Sequence, residues 1–439
     1  MPIAVGPPGS FTADACTAGS ADCMTLEYYA DSGRLWKTSI GKVTDEYTYS
    51  TFGELASYEA RYDGTVFFGY DIDERDHLGR ITKKTEQVQG QPNKVFEYAY
   101  DGAGRLWKVT IDSVLVREYT YDPNGNRLSY APGDPTAIAT YDEQDRIDTY
   151  DGYSFQHNDR GDLTQKAGAG ETWDYTYDEY GSLVQADEQG GDTIDYRVDG
   201  QNRRVQRLKN GVVTNTWLWR DQLRLAGELD SNGDLVARYV SALGRNVPEV
   251  ILQGGTAWRL ITDHLGSVRF VVETDSGATV NIIESFEYDE FGVRSGTGAP
   301  SQPFGFAGGL MDQDTGLVRF GAREFDPRVG RWSSRDPIIF AGRQSNLLTY
   351  SNSDPVNHHD PGGLFATVPL PKAKKFLDDD FFDDLPKPCK PDKASRCRSR
   401  ADNAKQRCLD QGKDEATCSE VWTRVYNNCM SEPDPPPEK

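Results

Sequence analysis

Histidine, methionine and long apolar runs are scarce in this chain. Five His (His77, His157, His264, His358 and His359) and four Met occur in 439 residues. No pair of His or Cys stands at the two-to-four-residue spacing of zinc ligands, so neither metal nor cofactor is expected. No apolar stretch approaches the ~20 residues of a spanning helix, so no transmembrane segment is expected. The first residues, MPIAVGPPGS, lack the basic and apolar regions of a secretory signal. They imply either a non-classical export route or a piece of a longer polypeptide. Basic charge is also short: 48 Lys and Arg face 69 Asp and Glu, a net charge of −21. That argues against nucleic acid as a partner of the body of the chain, because a phosphate binder needs clustered cations. There is no glycine-rich phosphate loop and no serine in a nucleophile elbow. His358 and His359, although beside an Asp, therefore read as surface or packing residues.

Glycine (43) and tyrosine (23) are abundant, and they are ordered. Tyr-x-x-x-Gly recurs at Tyr29/Gly33, Tyr49/Gly53, Tyr100/Gly104, Tyr121/Gly125, Tyr177/Gly181, Tyr196/Gly200 and Tyr288/Gly292, and His157/Gly161 keeps the spacing. Full copies read YAYDGAGRLWKV, YTYDPNGNRLSY and YTYDEYGSLVQA. Tyr98 and Tyr100 lie at i and i+2, on one face of a strand. Asp101 then binds its own backbone, Gly104 takes φ > 0, and Leu106 and Val109 resume an apolar strand. One hairpin is unstable alone, whereas a stack of them buries a continuous face. Propeller blades need roughly 40 residues each, so a unit of about 20 favours one long winding sheet.

These units resemble YD (Rhs) repeats, over most of residues 25 to 300. The resemblance implies a mostly β fold: a spiralling antiparallel β-shell, here a partial cocoon. From about Trp258 the pattern becomes denser and resembles the Rhs repeat-associated core. Gly316, Leu317, Arg323, Asp326, Pro327, Gly330, Arg331 and Trp332 keep its GLxxxxxRxYDPxxGRW pattern, with Phe325 in place of Tyr. The expected organisation is an N-terminal segment (1–24), YD repeats (25–260), the associated core (261–364), a linker (365–395) and a cysteine-rich helical tail (396–439).

In that family two DPxGL boxes form an intramolecular aspartyl protease that cuts after the Leu of the second box. The second box is intact as Asp360, Pro361, Gly362, Gly363 and Leu364. The first keeps Asp336 and Pro337, with Ile339 where Gly is expected and Phe340 where Leu is. The resemblance implies cleavage between Leu364 and Phe365. Asp336 and Asp360 are the expected catalytic pair, Asp354 is a rival for the second place, and Arg335 is expected to hold a carboxylate or polarise the carbonyl. Two adjacent carboxyls cannot easily both ionise, so one keeps a proton for acid–base work. If the first box needs φ > 0 at its Gly position, Ile339 follows that path only at a cost.

After Leu364 the composition changes. Five of the seven Cys lie there. Cys397 and Cys408 are eleven apart, as are Cys418 and Cys429, about three helical turns. Two helices folded back on each other would pair Cys397 with Cys429 and Cys408 with Cys418, leaving Cys389 over. By position, the family resemblance implies that this tail is a variable toxin-like cargo. An immunity protein and a secretion machine are then expected partners, with residence outside a reducing cytosol, secreted or at the cell surface. The alternative expectation is a non-enzymatic cell-surface adhesion or carbohydrate-binding module.

Overall fold

The computed structural model describes residues 3–6, 23–133, 138–297, 301–342, 344–369, 419 and 423. Its repeating unit is built around an aspartate. Asp101 Oδ1 accepts the amides of Ala103 and Arg105, both at 2.9 Å, and its Oδ2 accepts Arg105 Nε at 2.7 Å. Gly104 closes the turn with φ +88°, a conformation that costs glycine little. The next unit's tyrosine completes the group. Tyr121 donates its hydroxyl to the Leu106 carbonyl at 2.7 Å, and the Arg105 guanidinium lies 4.5 Å over the Tyr121 ring. Tyr100 does the same to the Ile81 carbonyl at 2.6 Å, under Arg80 at 4.2 Å. Each of these half-buried phenols thus meets an acceptor supplied by the unit before it, as burial of a hydroxyl demands.

The aspartate defines the units better than the tyrosine does. Turns at Asp76–Arg80 and Asp142–Arg146 have the same bonds, although the first has Arg75 in the tyrosine place and the second has Asp145 (φ +62°) in the glycine place. The expected Tyr196/Gly200 unit is shifted. Asp199 organises that turn, and Asn202 is its left-handed residue, φ +60°. Trp219 takes the tyrosine role against this turn, donating Nε1 to the Arg204 carbonyl at 2.8 Å.

These units give long meandering sheets. One has ten strands, from Ile3–Gly6 to Val114–Glu118, and another sixteen, from Ala139–Tyr141 to Arg294–Thr297. Each strand pairs with its neighbour in sequence, antiparallel except where Ile3–Gly6 runs parallel to Met24–Tyr28. The order is that of a winding open sheet, neither a propeller nor a closed barrel. The larger sheet runs through residue 261 without a break, because the strand Thr256–Thr262 pairs with Val268–Glu273 and that in turn with Ile282–Tyr288.

The early and late strands face each other across one apolar core containing Tyr47, Tyr58, Phe67, Phe68, Val250, Ile261 and Phe270. Buried ion pairs bridge the same contact. Arg259 Nη2 meets Asp45 at 2.7 Å, and Arg269 grips both oxygens of Glu86 at 2.7 Å each. Lys42 N–H also donates to the Thr274 carbonyl at 2.8 Å.

Residues 301–369 form a plug against this wall. A four-stranded sheet, Leu310–Met311 to Arg331–Trp332, lies at its centre. Phe306, Phe320, Phe325, Trp332 and Tyr350 pack as one aromatic cluster, with Phe325 and Tyr350 centroids 4.5 Å apart. The Phe325 ring is fully buried in that cluster, where a tyrosine hydroxyl would need a partner of its own. Charged pairs key the plug to the repeats. Glu324 Oε1 accepts Arg204 at 2.9 Å and Arg319 at 2.8 Å, Arg207 meets Asp312 at 2.7 Å, and Arg331 reaches Asn126 Oδ1 at 2.7 Å and the Asp145 carbonyl at 2.6 Å.

The chain divides into two units, Met1–Lys374 and Lys375–Lys439. Of the second, only Ser419 and Thr423 are described, both helical, with the Thr423 hydroxyl on the Ser419 carbonyl at 3.0 Å. The tail with Cys397, Cys408, Cys418 and Cys429, and nearly all of the linker, lie outside the described residues. Among the described residues, no helix is long and apolar enough to cross a membrane, and no cluster of three or more His, Cys, Asp or Glu is arranged to hold a metal.

Candidate functional site

Both Asp-Pro boxes reach the same buried spot. Asp336 follows the last strand of the plug sheet, Arg331–Trp332, and a short turn through Ile339–Gly342 folds over it. Its Oδ1 accepts the Ile338 amide at 2.9 Å. Asp360 opens the second box, and its Oδ1 accepts the Leu364 amide at 3.0 Å. The two carboxylates meet at one guanidinium: Arg323 Nη2 lies 3.1 Å from Asp336 Oδ2 and 3.4 Å from Asp360 Oδ2. All three residues are buried, at 6%, 2% and 2% exposure for Asp336, Asp360 and Arg323.

The Leu364–Phe365 peptide belongs to this group. A Cβ added to Gly342 would fall 2.7 Å from the Leu364 carbonyl oxygen and 2.9 Å from Asp336 Oδ2. The carbonyl and the carboxylate therefore press on one bare backbone position. Burial pushes the Asp336 carboxyl above its usual range, opposed by Arg323 and the Ile338 amide, with Asp360 adding to the rise. Burial likewise raises Asp360, against Arg323 and the amides of Leu364, Phe365 and Gly363. Such a pair holds a proton more readily than a free carboxylate does. The two carboxyls lie close to an amide carbonyl, and a carboxyl pair that keeps one proton is an arrangement suited to activating water against a carbonyl.

Arg335 lies elsewhere. Its Nη2 donates to the Gln144 side chain, and its Nε sits 2.7 Å from where a Gly161 Cβ would be, against the repeat turns. The guanidinium between the carboxylates is that of Arg323, twelve residues earlier in the chain. Asp354 is also apart: it accepts Asn357 Nδ2 at 2.8 Å and faces His358 at 3.3 Å, while Asn357 fastens the plug to Ile81 N at 2.8 Å and the Tyr100 hydroxyl at 2.7 Å. His359 Nδ1 rests on the Leu265 carbonyl and His264 Nε2 on the Val356 carbonyl, both at 2.9 Å, as packing contacts between plug and repeat. Ile339, at the position where the resemblance expects Gly, lies in the left-handed region at φ +54°, and its side chain is 52% exposed. The backbone cost is about 1–2 kcal/mol, and the first box still delivers Asp336 to the site.

A family model for the Teneurin YD-shell matches residues 19–356. Teneurin-4 of Homo sapiens is 24% identical over 354 residues, covering 77% of this chain and 12% of its own length. The tRNA nuclease WapA of Bacillus subtilis is 26% identical over 277 residues, covering 60% of this chain and 12% of its own. The double-stranded DNA deaminase toxin A of Burkholderia cenocepacia is 26% identical over 376 residues, 75% of this chain and 25% of its own. The chain thus spans 12% to 25% of the length of these relatives. Among solved structures, the crystal structure of TcdB2-TccC3-Cdc42 superposes with a TM-score of 0.54 at 20% identity, over 77% of this chain and 19% of that one, a likeness of fold. The aspartate-organised turns, the sequential sheets and the match over most of the chain agree, and this chain belongs to the Teneurin YD-shell family as a YD-shell protein of the Rhs type.

Proposed function

We propose that this chain is part of an Rhs-type polymorphic toxin whose plug cuts its own backbone between Leu364 and Phe365 and so frees the residues that follow. The observation that carries the reading is the meeting of Asp336 and the Leu364 carbonyl beside Gly342, with Asp360 sharing the Arg323 guanidinium with Asp336. The charged carboxylate takes a proton from a water as that water attacks the Leu364 carbonyl carbon. The protonated one donates to the developing oxyanion. Collapse of the tetrahedral intermediate breaks the C–N bond. The Phe365 nitrogen leaves as an amine after taking up a proton, and Leu364 gains the carboxylate.

In this reading residues 25–260 wall off the cargo, 261–364 close and cut, 365–395 link, and 396–439 are the effector. The relatives named as a nuclease and a deaminase toxin support a toxin role; in this reading it is exercised outside the producing cell, with an immunity protein and a secretion machine as expected partners.

Intact mass of the purified full chain tests the cleavage. A fragment beginning at Phe365 is expected, absent from Asp336→Asn and from Asp360→Asn. A wild-type chain that stays whole from acid to neutral pH sinks the reading. Growth of cells expressing residues 365–439 in cytosol or in periplasm tests the cargo. A second reading, a carbohydrate-contact module, draws on the exposed rings of Tyr180 and Trp107. It gains if the uncut chain retains glycan binding that Trp107→Ala removes.

A further inference from the structure

Three successive backbone groups leading to the cleavage point are held one by one. The Ala322 amide donates to the Gly362 carbonyl at 2.9 Å, Arg323 Nε donates to the Gly363 carbonyl at 2.6 Å, and Asp360 accepts the Leu364 amide at 3.0 Å. The slot admits bare backbone only. A Cβ on Gly363 would lie 2.3 Å from the Phe320 carbonyl oxygen, and one on Gly321 would lie 2.4 Å from the Gly362 carbonyl oxygen. Arg323 touches both the peptide and the two carboxyls. Its Nη2 serves Asp336 and Asp360, its Nη1 donates to the Leu347 carbonyl at 3.1 Å, and its guanidinium lies 4.1 Å over the Trp332 ring. A planar fork fixed in so many directions has little freedom to turn, which an ammonium in its place would have.

We propose that Arg323 is the positioning residue of the cleavage site. Its fork sets the line of the Gly363–Leu364 segment against the two carboxyls, and its charge sets the pH range in which they hold a single proton. The proposal rests on the self-cleaving reading above. The titratable groups acting on the fork are Asp336 after the plug sheet and Asp360 in the second box, and behind them the Tyr350 hydroxyl approaches the Asp360 backbone. Removing the positive charge lets the pair keep its proton to higher pH, so both limbs of the cleavage profile must move upward.

The test uses the full chain and two readouts. The first is cleavage after Leu364 against pH. Arg323→Gln is expected to slow it about 100-fold and to move the profile up by about one pH unit or more. Arg323→Lys, which keeps the charge, is expected to hold the profile near its original position while the rate stays below wild type. The second is hydrogen exchange of residues 362–366 in a chain made inert by Asp336→Asn. Adding Arg323→Gln is expected to speed exchange there about tenfold or more, with the sixteen-stranded sheet unchanged. An Arg323→Gln chain cut at the wild-type rate over an unshifted profile overturns the proposal, and so does unaltered exchange at 362–366. If the wild-type chain is never cut, the cleavage reading falls, and an exchange response to Arg323 then shows only that the fork orders residues 362–366, not that it positions a cleavage.

Discussion

Asp101 and Glu324 are both acids bonded to arginine, in very different settings. Asp101 finds its partner four residues on, in the same turn, with its side chain 23% exposed. Glu324 holds Arg204 and Arg319 at 2% exposure, and Arg204 arrives from 120 residues away. The repeat turns satisfy their polar groups locally and many times over. The plug adds single long-range pairs such as Glu324–Arg204, in places water does not reach. Damage to a turn should therefore stay local, while damage to the plug should spread.

The largest effect is expected at Glu324. Glu324→Gln leaves two buried guanidiniums facing a neutral amide and should cost about 3–5 kcal/mol, measured by chemical denaturation of the whole chain. If it costs no more than a repeat mutation, the contrast fails.

Acid should come next. Burial lowers the pKa of His264 and of His359 from 6.5 to about 4. The unfolded chain therefore takes up these protons first as pH falls. Their contribution to stability is whole above about pH 6.5 and is lost progressively toward about pH 4. Asp336 and Asp360, with raised pKa values, act in the opposite sense, favouring the folded state in acid. Allowing for the partial solvent contact of the histidines, the two together should cost roughly 2 kcal/mol between pH 7 and pH 5. A double His264→Gln, His359→Gln chain should show a flatter stability–pH curve over that range.

A turn should give less. Tyr121→Phe deletes one hydroxyl-to-carbonyl bond and should cost about 1 kcal/mol, with hydrogen exchange raised only in the units around 101–126. Ile339→Gly should move the other way, stabilising by about 1 kcal/mol through relief of the left-handed backbone. Its self-cleavage should be at least as fast as that of the parent.

The repeats were legible in sequence because their chemistry is local. At Gly33, Gly53, Gly104, Gly125, Gly161, Gly181 and Gly292, positive φ stands where the tyrosine spacing places it. The spacing misled at Gly200 and passed over Asp76–Gly79, Asp142–Asp145 and Asp263–Gly266. In most of these turns a side-chain oxygen reaches the amides two and four residues ahead, usually an Asp carboxylate but the Ser50 hydroxyl at Gly53, and that job does not need a ring before it. The paired aspartates could be named from their boxes. Arg323 could not be given its place, because nothing local ties it to them. Arg335 is adjacent to Asp336 in the chain, yet neighbouring residues of an extended segment point to opposite sides, and Arg335 faces the repeat turns.

Where the tyrosine bond forms, as at Tyr49, Tyr100, Tyr121 and Tyr141, it has a direction: the unit behind lends a carbonyl and the unit ahead borrows it. A duplicated unit would arrive with its own donor and acceptor, so a row of this kind can lengthen or shorten by whole units at small expense. The plug tolerates no such change. Arg331 needs Asn126 and Asp145, Asn357 needs Ile81 and Tyr100, and Glu324 needs Arg204, so an inserted unit between them would slide the anchors out of reach. The plug thus works as a ruler, permitting only the number of units that brings its anchors into line.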